Sequence, residues 1–316
     1  MAATAVPLPK KQGMTKKARN EAITFYICVA PWILGFLFFT AGPMIASLVL
    51  SFTNWDILTT PKFIGFANYV KALTVDPLVG TSLKVTLTYS LTAIPLRLVT
   101  ALLLAMLLNE ARRGIGFFRT AFYLPSIVSS VAAAVLWQWI LNPAYGPING
   151  FLALLGIQGP LWFSDPNWAL WALVIMSPWG VGGEMLIFLS GLKGIPKQLY
   201  EAAEIDGAGT LARFFNVTLP MLSPTLFFNL VMAIIGSFQT FDTAYVISTA
   251  HAGVAGSPLN STLFYMIYLY NTAFTNQKMG YASALGWILF VIIMVITLLV
   301  LRSSRSWVYS EAERKN

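Results

Sequence analysis

Apolar residues run along this chain in long unbroken blocks, not in short alternations, and the blocks exceed what a buried soluble helix needs. About 20 mostly apolar residues carry a helix across the hydrocarbon core of a bilayer. Six blocks reach that length: residues 25–52, 83–108, 118–141, 168–192, 219–241 and 282–301. The second to fifth contain proline or glycine, which membrane helices tolerate. A further apolar and aromatic run, residues 262–274, is 13 residues long and too short to span. It reads as a helix lying in the outer membrane interface. The pattern predicts an all-α fold, a polytopic transmembrane helix bundle of six spans.

The basic residues orient that bundle. Lys10, Lys11, Lys16, Lys17 and Arg19 precede the first span, and Arg112, Arg113 and Arg119 follow the second. Lys193, Lys197 and Arg213 follow the fourth, and Arg302, Arg305, Arg314 and Lys315 follow the sixth. The alternate connections are poorer: Lys62, Lys71 and Lys84 in one, Lys278 in another, and none in residues 142–167. Positive charge marks the cytoplasmic side, so both termini are expected in the cytoplasm. The formal net charge of +8 follows from topology and gives no motive for nucleic-acid binding. The run that follows the basic tail is far longer than the 7–15 apolar residues, roughly, of a signal peptide, and reads as a permanent first helix.

Composition narrows the function further. The chain has 316 residues, 57% apolar and 10% charged, against about 25% charged in soluble domains. That excludes a disordered chain and an ordinary soluble enzyme. The single Cys28 cannot make an intrachain disulfide, and the single His251 cannot supply a metal or catalytic cluster. No G-x-x-x-x-G-K-[ST] phosphate loop is present, so no ATP hydrolysis by that mechanism is expected here. The expected divisions are a basic cytoplasmic tail (1–22), a first span with its outer loop (23–82), a core (83–302) and a cytoplasmic C-terminal tail (303–316).

The most telling stretch is the cytoplasmic connection 196–220. Leu199-Tyr200-Glu201-Ala202-Ala203-Glu204 is good helix material. Gly207 and Gly209 end that helix, a second short helix follows, and Pro220 suits the first turn of the fifth span. This resembles the EAA loop of the membrane subunits of binding-protein-dependent ABC importers. The family pattern is met by Glu201, Ala202, Ala203, Gly207, Leu219 and Pro220, with Val217 where isoleucine is usual. Arg119–Pro125, the run Trp137-Gln138-Trp139-Ile140-Leu141-Asn142-Pro143 and Trp162-Phe163-Ser164-Asp165-Pro166 are similar to the sugar-importer branch, with the maltose-type first permease as nearest arrangement.

The resemblance implies a type I importer permease in the cell membrane, working with a second permease (a heterodimer), two ATP-binding subunits and an extracytoplasmic substrate-binding protein. It implies that ATP and magnesium are held by the partner subunits and that this chain carries no cofactor or metal. The coupling contact falls on Glu201, Ala202, Ala203, Asp206, Gly207, Leu219 and Pro220. Sugar contacts, carried over by counting from the motif, fall on Met176, Trp179, Gly180, Gly183, Gly236, Ser237, Gln239 and Thr240. Chemistry alone adds Glu184 and Asp242, because carboxylates inside a membrane are costly and need a purpose. Arg97, in the second span, is the natural partner for Glu184. The outer aromatics Trp137, Trp139, Trp162, Trp168, Tyr265, Tyr268 and Tyr270 are expected at the membrane interface. An ion-coupled carrier acting alone is the rival, with Glu184 and Arg97 as its relay.

Overall fold

The computed structural model describes residues 15–110 and 114–309; Lys10, Lys11, Arg112, Arg113, Arg314 and Lys315 lie outside them. Helix α1 (Lys16–Phe36) starts where the Thr15 hydroxyl accepts the Ala18 N–H at 3.3 Å. It runs through a π-turn at Leu37–Ala41 into α2 (Gly42–Ser51). Pro43 cannot donate a backbone hydrogen bond, and the widened turn beside it absorbs the mismatch. The helix therefore begins inside the segment that hydropathy assigns to the tail. A two-strand hairpin follows, β1 (Thr53–Asn54) antiparallel to β2 (Lys62–Phe63) with Thr53 opposite Phe63, then α3 (Ala67–Thr74).

The long helix α4 (Pro77–Asn109) is the axis of the bundle. Asp76 caps it by accepting the Leu78 N–H at 3.0 Å, with Pro77 in the first turn where no donor is needed. Then come α5 (Ile115–Tyr123) and α6 (Ser130–Ile140), joined by a 3₁₀ turn at Leu124–Ile127 and bent by 100°. The sequence reads this stretch as one span. Pro125 in the turn and the Ser129 hydroxyl capping α6 at 3.3 Å from the Ala132 N–H break it in two. The connection after α6 holds α7 (Pro147–Leu154). Helix α8 (Ala169–Met176) continues as a 3₁₀ turn at Ser177–Gly180, and α9 (Gly182–Lys193) leaves it at a 48° bend at Val181.

The cytoplasm-assigned loop folds as α10 (Lys197–Ile205) and α11 (Thr210–Arg213), and a π-turn at Phe214–Thr218 leads into α12 (Leu219–Phe238). Helix α13 (Asp242–Ala252) follows, then α14 (Tyr265–Tyr270) with a π-turn at Asn271–Thr275, and finally α15 (Met279–Ser304). Among the described residues, four helical runs are long and apolar enough to cross a membrane, or six if each bent pair counts as one span.

The core lies where α4 meets α9, α12 and α14. Ala93, Ala101 and Ala105 are buried on α4, and such small side chains let neighbouring backbones approach closely. Opposite them sit the buried Met185 and Phe188 of α9 and Leu222 of α12. One expectation is overturned here. The 262–274 segment is not interfacial: Phe264, Tyr265 and Ile267 are fully buried. The Tyr265 N–H donates to Thr86 Oγ1 at 2.9 Å and its hydroxyl to the Leu285 carbonyl at 2.9 Å. With its polar atoms bonded inside the bundle, the short helix gains nothing from the interface. Trp162 and Tyr268 are likewise buried, whereas Trp139 and Trp168 remain exposed.

Candidate transport path and coupling loop

Three cavities follow one another, the first beyond the start of α9 and the end of α12 and the next two between those helices. The first, about 410 Å³, is lined by Met176, Trp179 and Gly180 around the α8–α9 bend and by Gln239, Thr240 and Asp242 past the end of α12. The second, also about 410 Å³, is lined by Gly183 and Glu184 of α9 and by Gly236, Ser237 and Thr240. The third, about 450 Å³, lies nearer the coupling loop, between Ser190 and Gly191 of α9 and Pro224 and Thr225 of α12. Residue numbers rise along α9 as they fall along α12, as two antiparallel helices flanking one groove require. All ten residues singled out for the path line the first or second cavity.

Polar groups are unevenly placed along this file. Arg97 of α4 pairs with Glu184 in the first turn of α9, as the sequence anticipates. An anion suits that end of a helix, where free N–H groups concentrate positive charge. The buried Asn229 side chain donates to the Glu184 carbonyl at 3.4 Å and ties α12 to the same turn. Ser130 donates to Asp242 at 3.1 Å, joining α6 to α13. The Ser237 hydroxyl is spent on its own helix, donating to the Ile234 carbonyl at 2.9 Å. Two donors in the wall of the first cavity, Arg97 Nε and Trp137 Nε1, are buried without an acceptor among the described residues. The Trp137 and Trp179 rings meet edge-to-face at 6.4 Å.

Trp137 and Tyr89 are among the lining residues that escape sequence reasoning. Trp137 reads as an interfacial aromatic, yet the bend between α5 and α6 turns it into the first cavity. Tyr89 lines both the first and second cavities with Arg97. The signal for Tyr89 was present: Tyr89, Ala93 and Arg97 recur every four residues along one face of a helix.

At the far end of α9 the chain turns into the EAA segment. Glu201 and Ala202 on α10 are exposed and Ala203 is half-buried. The helix ends in a paired closure: the Gly207 N–H donates to the Glu204 carbonyl at 3.0 Å and the Ala208 N–H to the Ala203 carbonyl at 2.8 Å. This closure needs the left-handed φ of +79° that Gly207 supplies. Arg213 pairs with Glu204 at 3.2 Å across the Asp206–Gly209 corner, and the Tyr200 and Thr218 hydroxyls are bonded at 3.0 Å. The result is a braced L-shaped projection. Its apolar residues Ile205 and Leu211 are 87% and 75% exposed. Leu219 and Pro220 open α12.

A membrane bundle with a polar file, no phosphate loop and a stiff projection at one end defines the membrane subunit of a transporter driven by a separate ATPase. The family described as binding-protein-dependent transport system inner membrane component matches residues 97–309. The chain belongs to that family and is a permease subunit of an ABC importer, not an enzyme. The ion-coupled reading is thereby displaced. The chain is 46% identical to the probable ABC transporter permease protein YesP of Bacillus subtilis (strain 168), covering 95% of this chain and 96% of that protein. It is 32% identical to the arabinooligosaccharides transport system permease protein AraP of the same organism, covering 96% of each. Its fold matches a chain of a bacterial alginate ABC transporter, solved in complex with an alginate pentasaccharide-bound periplasmic protein, with a TM-score of 0.77. That match has 24% identity and covers 92% of this chain and 96% of the other.

Proposed function

We propose that this chain and a second permease subunit form the transmembrane path for a sugar or polyol-type solute, as a heterodimer in the cell (cytoplasmic) membrane with both termini in the cytoplasm. An extracytoplasmic substrate-binding protein delivers the solute, and two ATP-binding subunits, holding ATP and magnesium, dock on α10 and the Asp206–Gly209 corner. The observation that carries the reading is the file of cavities with free donors and aromatic walls at one end and the braced coupling loop at the other. Sugars are held by many hydrogen bonds together with stacking on aromatic faces. Trp137, Trp179, Gln239 and Asp242 offer both, and AraP, named for arabinooligosaccharides, is a relative along nearly the whole chain.

ATP binding draws the ATPase dimer together and moves the projection. Helix α9, continuous with the loop that carries α10, shifts with it, and the path changes the side to which it opens. Glu201 and the small Ala202 and Ala203 allow close contact with the ATPase subunit. The test is isolation of this subunit from its native membrane in mild detergent, followed by a labelled-saccharide panel on the co-purified binding protein. Co-purification of an ATP-binding subunit and a second permease, with a saccharide bound, is the expected result. A binding protein that takes amino acids or ions and no saccharide overturns the cargo.

A further inference from the structure

The first two cavities are separated by very little. They share only Tyr89, Arg97 and Thr240 as walls, and the Arg97–Glu184 ion pair lies at that boundary. Arg97 stands two residues after Pro95 on α4, and Glu184 stands just past the 48° bend at the head of α9. Both side chains are about a fifth to a third exposed, so the pair sits in a partly wetted gap and not in a sealed core. Helix α9 packs closely on its neighbours at two points, on α12 and on the end of α5. A Cβ on Gly191 would lie 2.5 Å from Thr225 Oγ1 on α12, and one on Gly182 would lie 2.8 Å from the Tyr123 Cα. Its 12 residues make a rod about 18 Å long, with Glu184 at one end and the coupling loop at the other.

We propose that the Arg97–Glu184 pair is a removable septum between the two chambers. It is closed in the arrangement seen here, and it parts when the coupling loop displaces α9 along α4. Arg97 and Glu184 are then positioning residues for alternating access, acting by closing the path as well as by bonding to solute. An ion pair suits this task because its strength falls steeply with separation, so a small shift of α9 exchanges protein partners for water or for solute hydroxyls. The unpartnered Arg97 Nε leaves a donor for such an exchange.

This rests on the importer reading and its orientation, and the test separates the two. In the complete transporter, Cys28→Ala removes the chain's one cysteine, and a reporter thiol is placed at Gly236→Cys, where an added Cβ meets no atom within 4 Å. Thr243→Cys, in the first cavity, is the control. Right-side-out vesicles are treated with a membrane-impermeant methanethiosulfonate reagent. Thr243→Cys reacts quickly in every background if the orientation is right; if it reacts only in inside-out vesicles, the orientation fails and the septum is read from that side instead.

With the ion pair intact, Gly236→Cys reacts slowly. Glu184→Gln raises its rate tenfold or more, and the swap Arg97→Glu with Glu184→Arg returns it to within about threefold of the parent. A non-hydrolysable ATP analogue raises the rate with the pair intact. If Glu184→Gln does not assemble, Arg97→Lys, which keeps the charge on a shorter donor, gives an intermediate rate. Equal labelling with and without the pair, a faster rate that the swap does not reverse, or a parental rate in Arg97→Lys overturns the septum.

Discussion

Gly207 offers the sharpest test of the coupling loop, because its role is conformational and its neighbours are few. It holds φ at +79°, and the two backbone bonds that close α10 run from its own N–H and from that of Ala208. A Cβ at this position meets no atom within 4 Å in this chain. Any penalty of substitution therefore comes from the backbone. For an ordinary L residue the left-handed region costs about 1–2 kcal/mol; asparagine tolerates it better, and a β-branched side chain tolerates it worse. A loss of about 1–2 kcal/mol is about a 5- to 30-fold change in the fraction of loops with an intact corner. The transporter is reconstituted with its ATP-binding subunits and binding protein, and uptake is measured beside ATP hydrolysis. Coupled uptake is expected to fall in the order Gly, Asn, Ala, Val, with Gly207→Val lowered about 5- to 30-fold while membrane insertion and ATP hydrolysis persist. Parental coupling in Gly207→Val refutes the turn argument. So does a reversed order in which alanine is normal and asparagine fails, because that order describes a steric contact with the ATPase subunit and not a backbone requirement.

Other outcomes follow from the same coordinates. Asp76 accepts hydrogen bonds from Tyr268, from Tyr281 at 2.7 Å and from the Leu78 N–H, with Lys71 4.5 Å from the Tyr281 ring centre. Burial pushes the Asp76 carboxyl up, but these bonds and the Lys71 charge outweigh it and hold it below the ordinary value of 3.8. A lowered folded value means stability that is fully present above pH 3.8 and lost as the pH falls through the folded value. Asp76→Asn is therefore expected to melt below the parent at pH 7, with the gap closing as the pH falls below 3.8 and through the lowered folded value; a gap that persists in acid removes the charge from the explanation. Gly191→Val drives a side chain into Thr225 and Leu222, an overpacking that costs about 1–3 kcal/mol, and thermal melting in detergent reads it directly. Ile205→Asp with Leu211→Asp changes exposed positions, so the isolated subunit should melt within about 0.5 kcal/mol of the parent. Co-purification of the ATP-binding subunit should be lost, and its retention shows that these side chains do not dock.

The spans were legible because a bilayer sets a length that no soluble element needs. The bends were not. Proline and glycine are common in membrane helices without breaking them, so Pro125 gave no reason to expect a 100° turn. What breaks the helix is the combination of Pro125 with a capping Ser129, and a serine in a membrane run reads equally well as helix glue. Residues 262–274 misled for a related reason. Tyrosine and phenylalanine serve both an interfacial belt and a packed core, and 13 residues exclude spanning but not burial. Only the Tyr265 bonds to Thr86 and Leu285, 179 and 20 residues away, decide between them.

Why counting from the motif reaches residues that line one file of cavities is a matter of helix mechanics. Glu201 and Glu184 are joined by α9, a turn at Gly194–Pro196 and α10, with no loop that could absorb an insertion. Within each helix every residue advances the chain by a fixed rise and rotation, and the turn between the two helices is only three residues long, so a position counted from the motif keeps its place along α9. The same holds from Pro220 to Ser237 along α12. Tyr89 and Trp137 had no such ruler. One lies on α4, which contacts the motif only through tertiary packing, and the other lies beyond the 100° bend. Arg97, on the same helix as Tyr89, was found by a different logic: a charge inside the bilayer needs a partner, and few other charges are available at that depth. Counting reaches what is covalently rigid with the motif, and charge balance reaches what is electrostatically bound to it. An uncharged side chain on a separate helix satisfies neither condition, and its place in the path is decided by packing alone.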